Sequence, residues 1–512
     1  MIQSIRGNRI RHEGRGVKTN RIAGRDRCGS KRRGGARGAP FPAHERESAM
    51  TTRRGFLLGA TGALAMAGLP GGARSQSGGF PVLQARQASA QLAPSSYPKT
   101  DIWGYDGLIP GPALRVRQGG RVQRSFHNGL QQASSVHWHG IRIDNAMDGV
   151  PGLTQEAVPP GATFDYDFVA PDAGTYWYHA HNRSVEQVAR GLYGALIVEE
   201  AAGPDIDREE TLILDDWRLN PETAQIDPDF TSFHDLSHAG RLGNLITTNG
   251  QHDLSVGVRK NERLRLRLIN AANAKIFALA LSGFEGWTVA LDGMPLETPE
   301  PVSDVVLLGP GQRADLIVDV TAEDGETAYL LRAENEQVFS QAAFPVGGVA
   351  AAARRPAPDA LPPNPNMQFP DLAEAERLRL NMEGGAMGRL DAAILDGNRK
   401  TFRQLADSRQ FWAFNGTVGM TDTPLAEIAR GRAVRLEIVN DTVFPHAMHL
   451  HGMHFREVLE DGTFGPLRDT LLTFRGERRE IAFVADNPGD WLFHCHMLSH
   501  AASGMMTWLR VT

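Results

Sequence analysis

Ten of the seventeen histidines stand in four short clusters: His137/His139, His179/His181, His446/His449/His451 and His494/His496/His500. Imidazole is a ligand for Zn, Cu, Fe and Ni. A His-X-His pair on a strand sends both rings to one face, about 7 Å apart. One such pair could belong to a surface or a core; four of them in two matched sets point to metal. The matching lies in spacing. His137-Trp-His-Gly140 recurs as His449-Leu-His-Gly452, and Asp172-AGTYWYHAH, ending at His181, recurs as Asp486-NPGDWLFHCH, ending at His496. His139 and His179 are 40 residues apart, His451 and His494 43.

The last cluster says most. In Phe493-His494-Cys495-His496-MLS-His500-AAS-Gly504-Met505, alternation turns Cys495 to one face and its two histidine neighbours to the other. Two metal sites would then share one stretch of backbone. Cys495 with His446 and His500 is a His₂Cys set, and Met505 can add a weak axial thioether, the donor set of a blue-copper electron-transfer centre. On the other face, His494 and His496 can meet the other paired histidines. Eight imidazoles with no thiolate or carboxylate favour copper, which can both accept electrons and bind O₂.

Short alternating runs must position these residues. Ala113-Leu-Arg-Val-Arg, Arg263-LRLRLIN and Ala433-VRLEIVN each read as a half-buried strand followed by a turn. A weaker third copy lies between the two histidine-bearing units: after Arg263-LRLRLINAAN, Ala278-Leu-Ala280 stands where the histidines would be. Three repeats with plentiful Gly and Pro (55 and 30 residues) and 7% aromatics predict an all-β chain of three sandwiches. Ala201-AGPDIDREE and the Pro/Ala-rich Val346-GGVAAAARRPAPDALPPNPN separate them.

These motifs, with Asp148-GVPGLTQ, resemble the three-domain, laccase-like multicopper oxidases over roughly residues 80–512. The resemblance implies three cupredoxin-like Greek-key β-sandwich domains, at 75–205, 206–345 and 373–512, with a linker at 346–372. It implies four copper ions. His137 and His449 would hold type 2 copper; His139, His179, His181, His451, His494 and His496 the type 3 pair; His446, Cys495, His500 and Met505 type 1. Electrons from a small reducing substrate would pass through Cys495 to the cluster, where O₂ is reduced to water. Asp148, nine residues after His139, would relay protons; its usual companion acid is replaced by Ala501.

Two departures bear on the donor. Thr442 and Phe444 stand where cuprous oxidases of the family place acidic and methionine ligands, and Met367, Met382, Met387 and Met420 are scattered and read as core filling. Phenols or similar aromatic donors are therefore expected, with a cuprous-ion oxidase or a low-turnover copper scaffold as the alternatives. His454 reads as packing beside the cluster, His127, His234, His238 and His252 as surface, and Trp138 and Trp177 as core on the face away from the ligands.

The net charge of −5 conceals a basic head: residues 1–49 carry 13 Lys+Arg against 4 Asp+Glu. Met50-TTRRGFLLGATGALAMAGLP resembles a twin-arginine (Tat) export signal, with Arg53-Arg54 before a short apolar stretch. The signal is expected at 50–74 and residues 1–49 as an extension upstream of the true start, giving a periplasmic or secreted protein. From Ser75 the chain would carry −17, which excludes nucleic acid as a partner. No apolar run reaches the roughly 18 residues of a membrane span, and a monomer without stable membrane insertion is expected. With only Cys28 and Cys495 there is no disulfide framework.

Overall fold

The computed structural model describes residues 79–365, 367 and 372–512. The basic extension and the export signal expected before Ser75 lie outside the described residues, as does Cys28. The regular structure described is mostly strand, in three pairs of packed sheets and a two-stranded ribbon of Ala392–Leu395 with Asn398–Thr401.

In the first unit, one sheet runs Thr100–Tyr105, Val82–Ala90, Arg121–Asn128, Thr163–Val169. It faces a sheet of Gly111–Arg117, Tyr193–Glu199, Gly174–Ala180 and Val136–His139. Parallel pairing of Val82–Ala90 with Arg121–Asn128, and of Gly111–Arg117 with Tyr193–Glu199, mixes into otherwise antiparallel neighbours. This is a cupredoxin-like Greek-key sandwich, and the second and third units repeat it with sheets of six and five strands. Inward alternation fills each sandwich with its own core: Val122, Phe126 and Trp138 in the first, Leu264, Leu266 and Leu268 in the second, Leu436, Ile438 and Phe493 in the third. Burying such side chains contributes roughly 1.5–3 kcal/mol each before entropy is set against it.

The units are fastened by buried ion pairs. The Arg263–Asn270 strand sends three arginines outward from its core. Arg263 pairs with Asp319, Arg265 with Asp315 and Glu200, and Arg267 with Asp315 and Glu209. Glu200 thus ties the end of the first unit to the middle one, and Arg267 adds a hydrogen bond to Thr175 Oγ1 of the first unit. The segment expected as linker is also held down: its strand continues to Val349, Arg355 pairs with Asp207, and the Asn364 amide bonds both the N–H and the carbonyl of Ala173. No helix among the described residues is long and apolar enough to cross a membrane.

Candidate metal centres

Antiparallel pairing sets the first histidines side by side. His137 lies opposite His179 and His139 opposite Trp177 in the first unit; His449 lies opposite His494, and Met448 opposite Cys495, in the third. His181, His451 and His496 fall one residue beyond their strands, where the chain turns over the cluster. Ring centroids within each His-X-His pair are 4.8–5.9 Å apart, closer than the backbone spacing because the rings lean together. The two units then meet face to face: His137 stacks on His451 at 3.9 Å and His139 on His449 at 3.7 Å.

The eight imidazoles divide into sets whose ligand atoms lie within 4.8 Å of one another: His139/His179/His496, His181/His451/His494, and His137 with His449. Their outer nitrogens are committed. Nδ1–H of His137 donates to the Asp148 carbonyl (2.8 Å), that of His179 to Ala180, that of His494 to Cys495 and that of His449 to Asp469. Because those partners are acceptors only, the inner nitrogen is left as a bare lone pair. His451, whose Nδ1 donates to the Asp148 carboxylate (2.9 Å), therefore presents an unprotonated Nε2 only 3.2 Å from that of His494. Two lone pairs cannot bond each other; a cation between them resolves the contact. The inner nitrogens of His137, His139 and His449 are buried with no protein partner at all. Burial, reinforced by neighbouring imidazoles, holds His139, His179, His181, His451, His494 and His496 well below the usual histidine pKa, so they stay neutral, as metal ligands must. Metal fits this donor set.

The middle unit closes the cluster with backbone. Gly311 has φ +84°, and a Cβ there would lie 2.9 Å from His139 Cε1 and 3.0 Å from the His496 ring, so no side chain fits.

On the opposite face of the Gly489–Cys495 strand, Cys495 Sγ lies 3.6 Å from His446 Nδ1 and 3.7 Å from His500 Nδ1. Thr442 gives its hydroxyl proton to Asn440 Oδ1 and accepts from His446 Nε2 at 2.8 Å; His500 Nε2–H donates to the His238 carbonyl at 2.6 Å. Both Nδ1 lone pairs are therefore free, 3.1 Å apart and aimed at the sulfur. Burial lowers His500 to about 4 and pushes the Cys495 thiol up to about 12. Without metal the thiol is protonated, so loading this site releases a proton. Met505 is fully buried in the same core cluster as Cys495, and its backbone bonds both Cys495 N and His500 O.

Asp148 is 2% exposed and reaches two imidazoles, His451 by Oδ2 (2.9 Å) and His137 by Oδ1 (3.2 Å). A residue unread in the sequence mirrors it. Asp469 binds the outer nitrogens of His139 (3.3 Å) and His449 (3.4 Å), again one imidazole from each unit. Arg313 of the middle unit grips Asp469 through two nitrogens, at 2.6 and 3.0 Å, and also reaches the Thr175 carbonyl of the first unit. Burial alone would raise the Asp469 carboxyl; the guanidinium and the histidines hold it well below the usual carboxylate range. His454 lies in the same buried patch, 3.9 Å from Asp469.

Three expectations need correction, the first being Met387 as core filling, since it is 81% exposed. Trp177 is buried in a hydrophobic cluster but on the ligand face: it shares parity with His179, and its ring lies 4.3 Å from His179 and 5.2 Å from His139. His238 is half-buried rather than free at the surface, its ring stacked on His234 and bonded to Ser237 Oγ, while its carbonyl caps His500.

Family models described as multicopper oxidase match residues 87–203, 208–353 and 396–512. The multicopper oxidase MmcO of Mycobacterium tuberculosis is 30% identical over 438 residues, covering 79% of this chain and 82% of that one. Copper resistance protein A of Pseudomonas syringae pv. tomato is 25% identical over 90% of this chain and 99% of its own. The crystal structure of Lac15 from a marine microbial metagenome is similar at a TM-score of 0.69 and 42% identity, over 84% of this chain and 100% of that one.

Proposed function

The chain belongs to the multicopper oxidases, copper-dependent oxidoreductases that use O₂, and from that premise we propose that it carries four copper ions and couples one-electron oxidation of phenolic or similar aromatic donors to reduction of O₂ to water. The observation that carries this reading is the joining of two donor sets by one strand: Cys495 faces His446 and His500, while His494 and His496 face the octet. His446, Cys495, His500 and Met505 hold type 1 copper. His137 and His449 hold type 2, and His139, His179, His181, His451, His494 and His496 hold the type 3 pair. Copper bound there supplies one-electron transfer at the cysteine set and O₂ binding at the octet.

The chain's own residues do the rest. Cys495 is one peptide unit from each of His494 and His496, so the path between the two sets is covalent and short. Asp148 and Asp469 fix imidazole orientation from opposite sides. Since both Asp148 oxygens engage imidazole N–H groups, Asp148 is a positioning residue for His137 and His451 and the titratable group nearest the octet on the side away from Arg313. The protein reaches its copper as an exported chain: Arg53-Arg54 leads it through the Tat route to the periplasm or beyond, where it works as a monomer.

A second reading, a cuprous-ion oxidase, is favoured by one observation. His500 is fully buried, and its Nε2 is bonded to the carbonyl of His238, one of a stacked histidine pair. A donor panel separates the two readings. With copper-loaded protein, a specificity constant for the best phenol above that for Cu(I) supports the first, and the reverse order supports the second. Absence of O₂ uptake with every donor contradicts both.

A further inference from the structure

The short helix Phe233–Ser237 of the middle unit lies over the cysteine set. The Leu236 carbonyl accepts from Trp412 Nε1 (2.7 Å) and Ser503 Oγ (3.0 Å), and the Ser237 carbonyl from the Ala386 N–H (2.6 Å). The helix is thus pinned to the third unit from beneath. Its outer side carries two histidines with rings stacked at 4.1 Å, 13° from parallel: His234, whose side chain is 74% exposed, and His238.

We propose that His234 and His238 form a copper-ion site at the electron entrance, which takes Cu(I) as substrate. This rests on the second reading above.

The hydrogen bonds decide which nitrogen is offered. Ser237 gives its one hydroxyl proton to the Phe233 carbonyl (2.7 Å), so its oxygen can only accept from His238 Nδ1, 2.9 Å away. His238 Nδ1 is therefore protonated and Nε2 carries the lone pair. Asp235, the acid between the two histidines, is committed to Arg218 through both oxygens (2.6 and 2.9 Å). His234 Nδ1 lies 3.9 Å from Asp235 Oδ1, but the Arg218 guanidinium holds that carboxylate, and the two imidazoles that remain as donors suit copper. Met387, next in the chain after the residue bonded to Ser237, is 81% exposed. A methionine placed for core filling would be buried, as Met382 is. Soft thioethers select Cu(I).

One residue spans the gap to the interior. The half-buried His238 imidazole stacks on exposed His234, while its own carbonyl accepts from His500 Nε2, whose Nδ1 lies 3.7 Å from Cys495 Sγ. An electron leaving an ion on His238 crosses one side chain and one hydrogen bond to reach the cysteine set. Each Cu(I) loses one electron and leaves as Cu(II). Four such electrons with four protons turn one O₂, the oxidant of the family's activity, into two waters.

The test uses fully reduced, copper-loaded protein without O₂. Cu(I), and separately Ag(I) as an ion that cannot be oxidised, is titrated against a chromogenic chelator. One ion beyond the resident copper should bind, and H234A and H238A should each weaken it at least tenfold; H238A keeps the backbone carbonyl and so the His500 bond. M387L should weaken Ag(I) less than either. In air, the ratio of specificity constants for Cu(I) over a phenol should fall at least tenfold in H234A. An extra ion that survives the H234A/H238A double variant, or no extra ion in wild type, overturns the site. Binding lost with that ratio unchanged overturns its role as substrate entrance. Failure to consume O₂ with any donor would overturn the oxidase reading while leaving the Ag(I) titration to judge the site.

Discussion

The cysteine set and the octet share a strand, yet they are buttressed differently. At the octet, carboxylates stand behind four imidazoles: Asp148 behind His137 and His451, Asp469 behind His139 and His449. At the cysteine set the outer nitrogens meet a threonine hydroxyl and a backbone carbonyl, both uncharged. The difference follows from charge. Several cations among neutral imidazoles need compensating anions nearby, whereas one cation bound to a thiolate is already partly neutralised. Buttressing by charge also makes imidazoles more basic ligands. The octet is built to hold concentrated charge, and the cysteine set to pass one electron with little change around it.

Breaking the cysteine set has the largest expected effect. Cys495→Ser removes the soft thiolate. Absorption near 600 nm (roughly, for Cu–thiolate charge transfer) and oxidation of every donor should vanish while the octet still takes up copper. Retained colour in absorption spectra would contradict the two-site division.

Asp469→Asn tests the charged side of the octet. It leaves Arg313 buried without its partner, a change that costs about 3–5 kcal/mol. Thermal unfolding should drop sharply, and copper uptake by the octet should fall while the blue band persists. An unchanged melting temperature would show that Arg313 and Asp469 do not fasten the units.

Asp148→Asn is milder, because among the described residues no arginine or lysine pairs with Asp148. The amide keeps the shape but loses the titratable proton. General acid–base assistance is worth roughly 10²–10⁴-fold, so O₂ turnover should fall at least tenfold, with a changed pH profile and unaltered reduction of the cysteine site. Turnover within about twofold of wild type, under conditions where re-oxidation limits the rate, would leave Asp148 with the positioning of His137 and His451 alone.

Acid should expose the same contrast in the metal-free protein. Burial depresses the histidines, so below about pH 6.5 the unfolded chain gains protons that the folded one refuses. Stability present above that pH is lost as pH falls through the folded values, about 4 for His500 and well below the usual histidine range for His451 and His494. Chemical denaturation between pH 7 and 4 should show the loss, and copper loading should delay it. A flat profile would mean that the imidazoles are not held neutral by burial.

Much of this was legible in sequence because ligand sets and sandwich strands obey local periods. Cys495 and its histidine neighbours fall on opposite faces by alternation alone, and half-buried strands announce themselves in runs such as Arg263-LRLRLIN. Trp177 obeys the same rule and was misread against it. Asp469 and Arg313 were not legible: an ion pair across 156 residues leaves no spacing signal. Nor does a carbonyl, so the contact of His238 with His500 is invisible in the identity of the residue. The exposure of Met387 depends on the turn after Gly385, where Met387 has φ +64°, and not on composition.

The account stands most directly on copper counted against colour. Fully loaded wild-type protein, with exogenous ions removed, should contain four copper ions per chain and show the blue band, and Cys495→Ser should contain three and show none. A wild-type protein that consumes O₂ with two or fewer coppers per chain, or a Cys495→Ser variant that keeps all four, would contradict the division into a cysteine set and an octet.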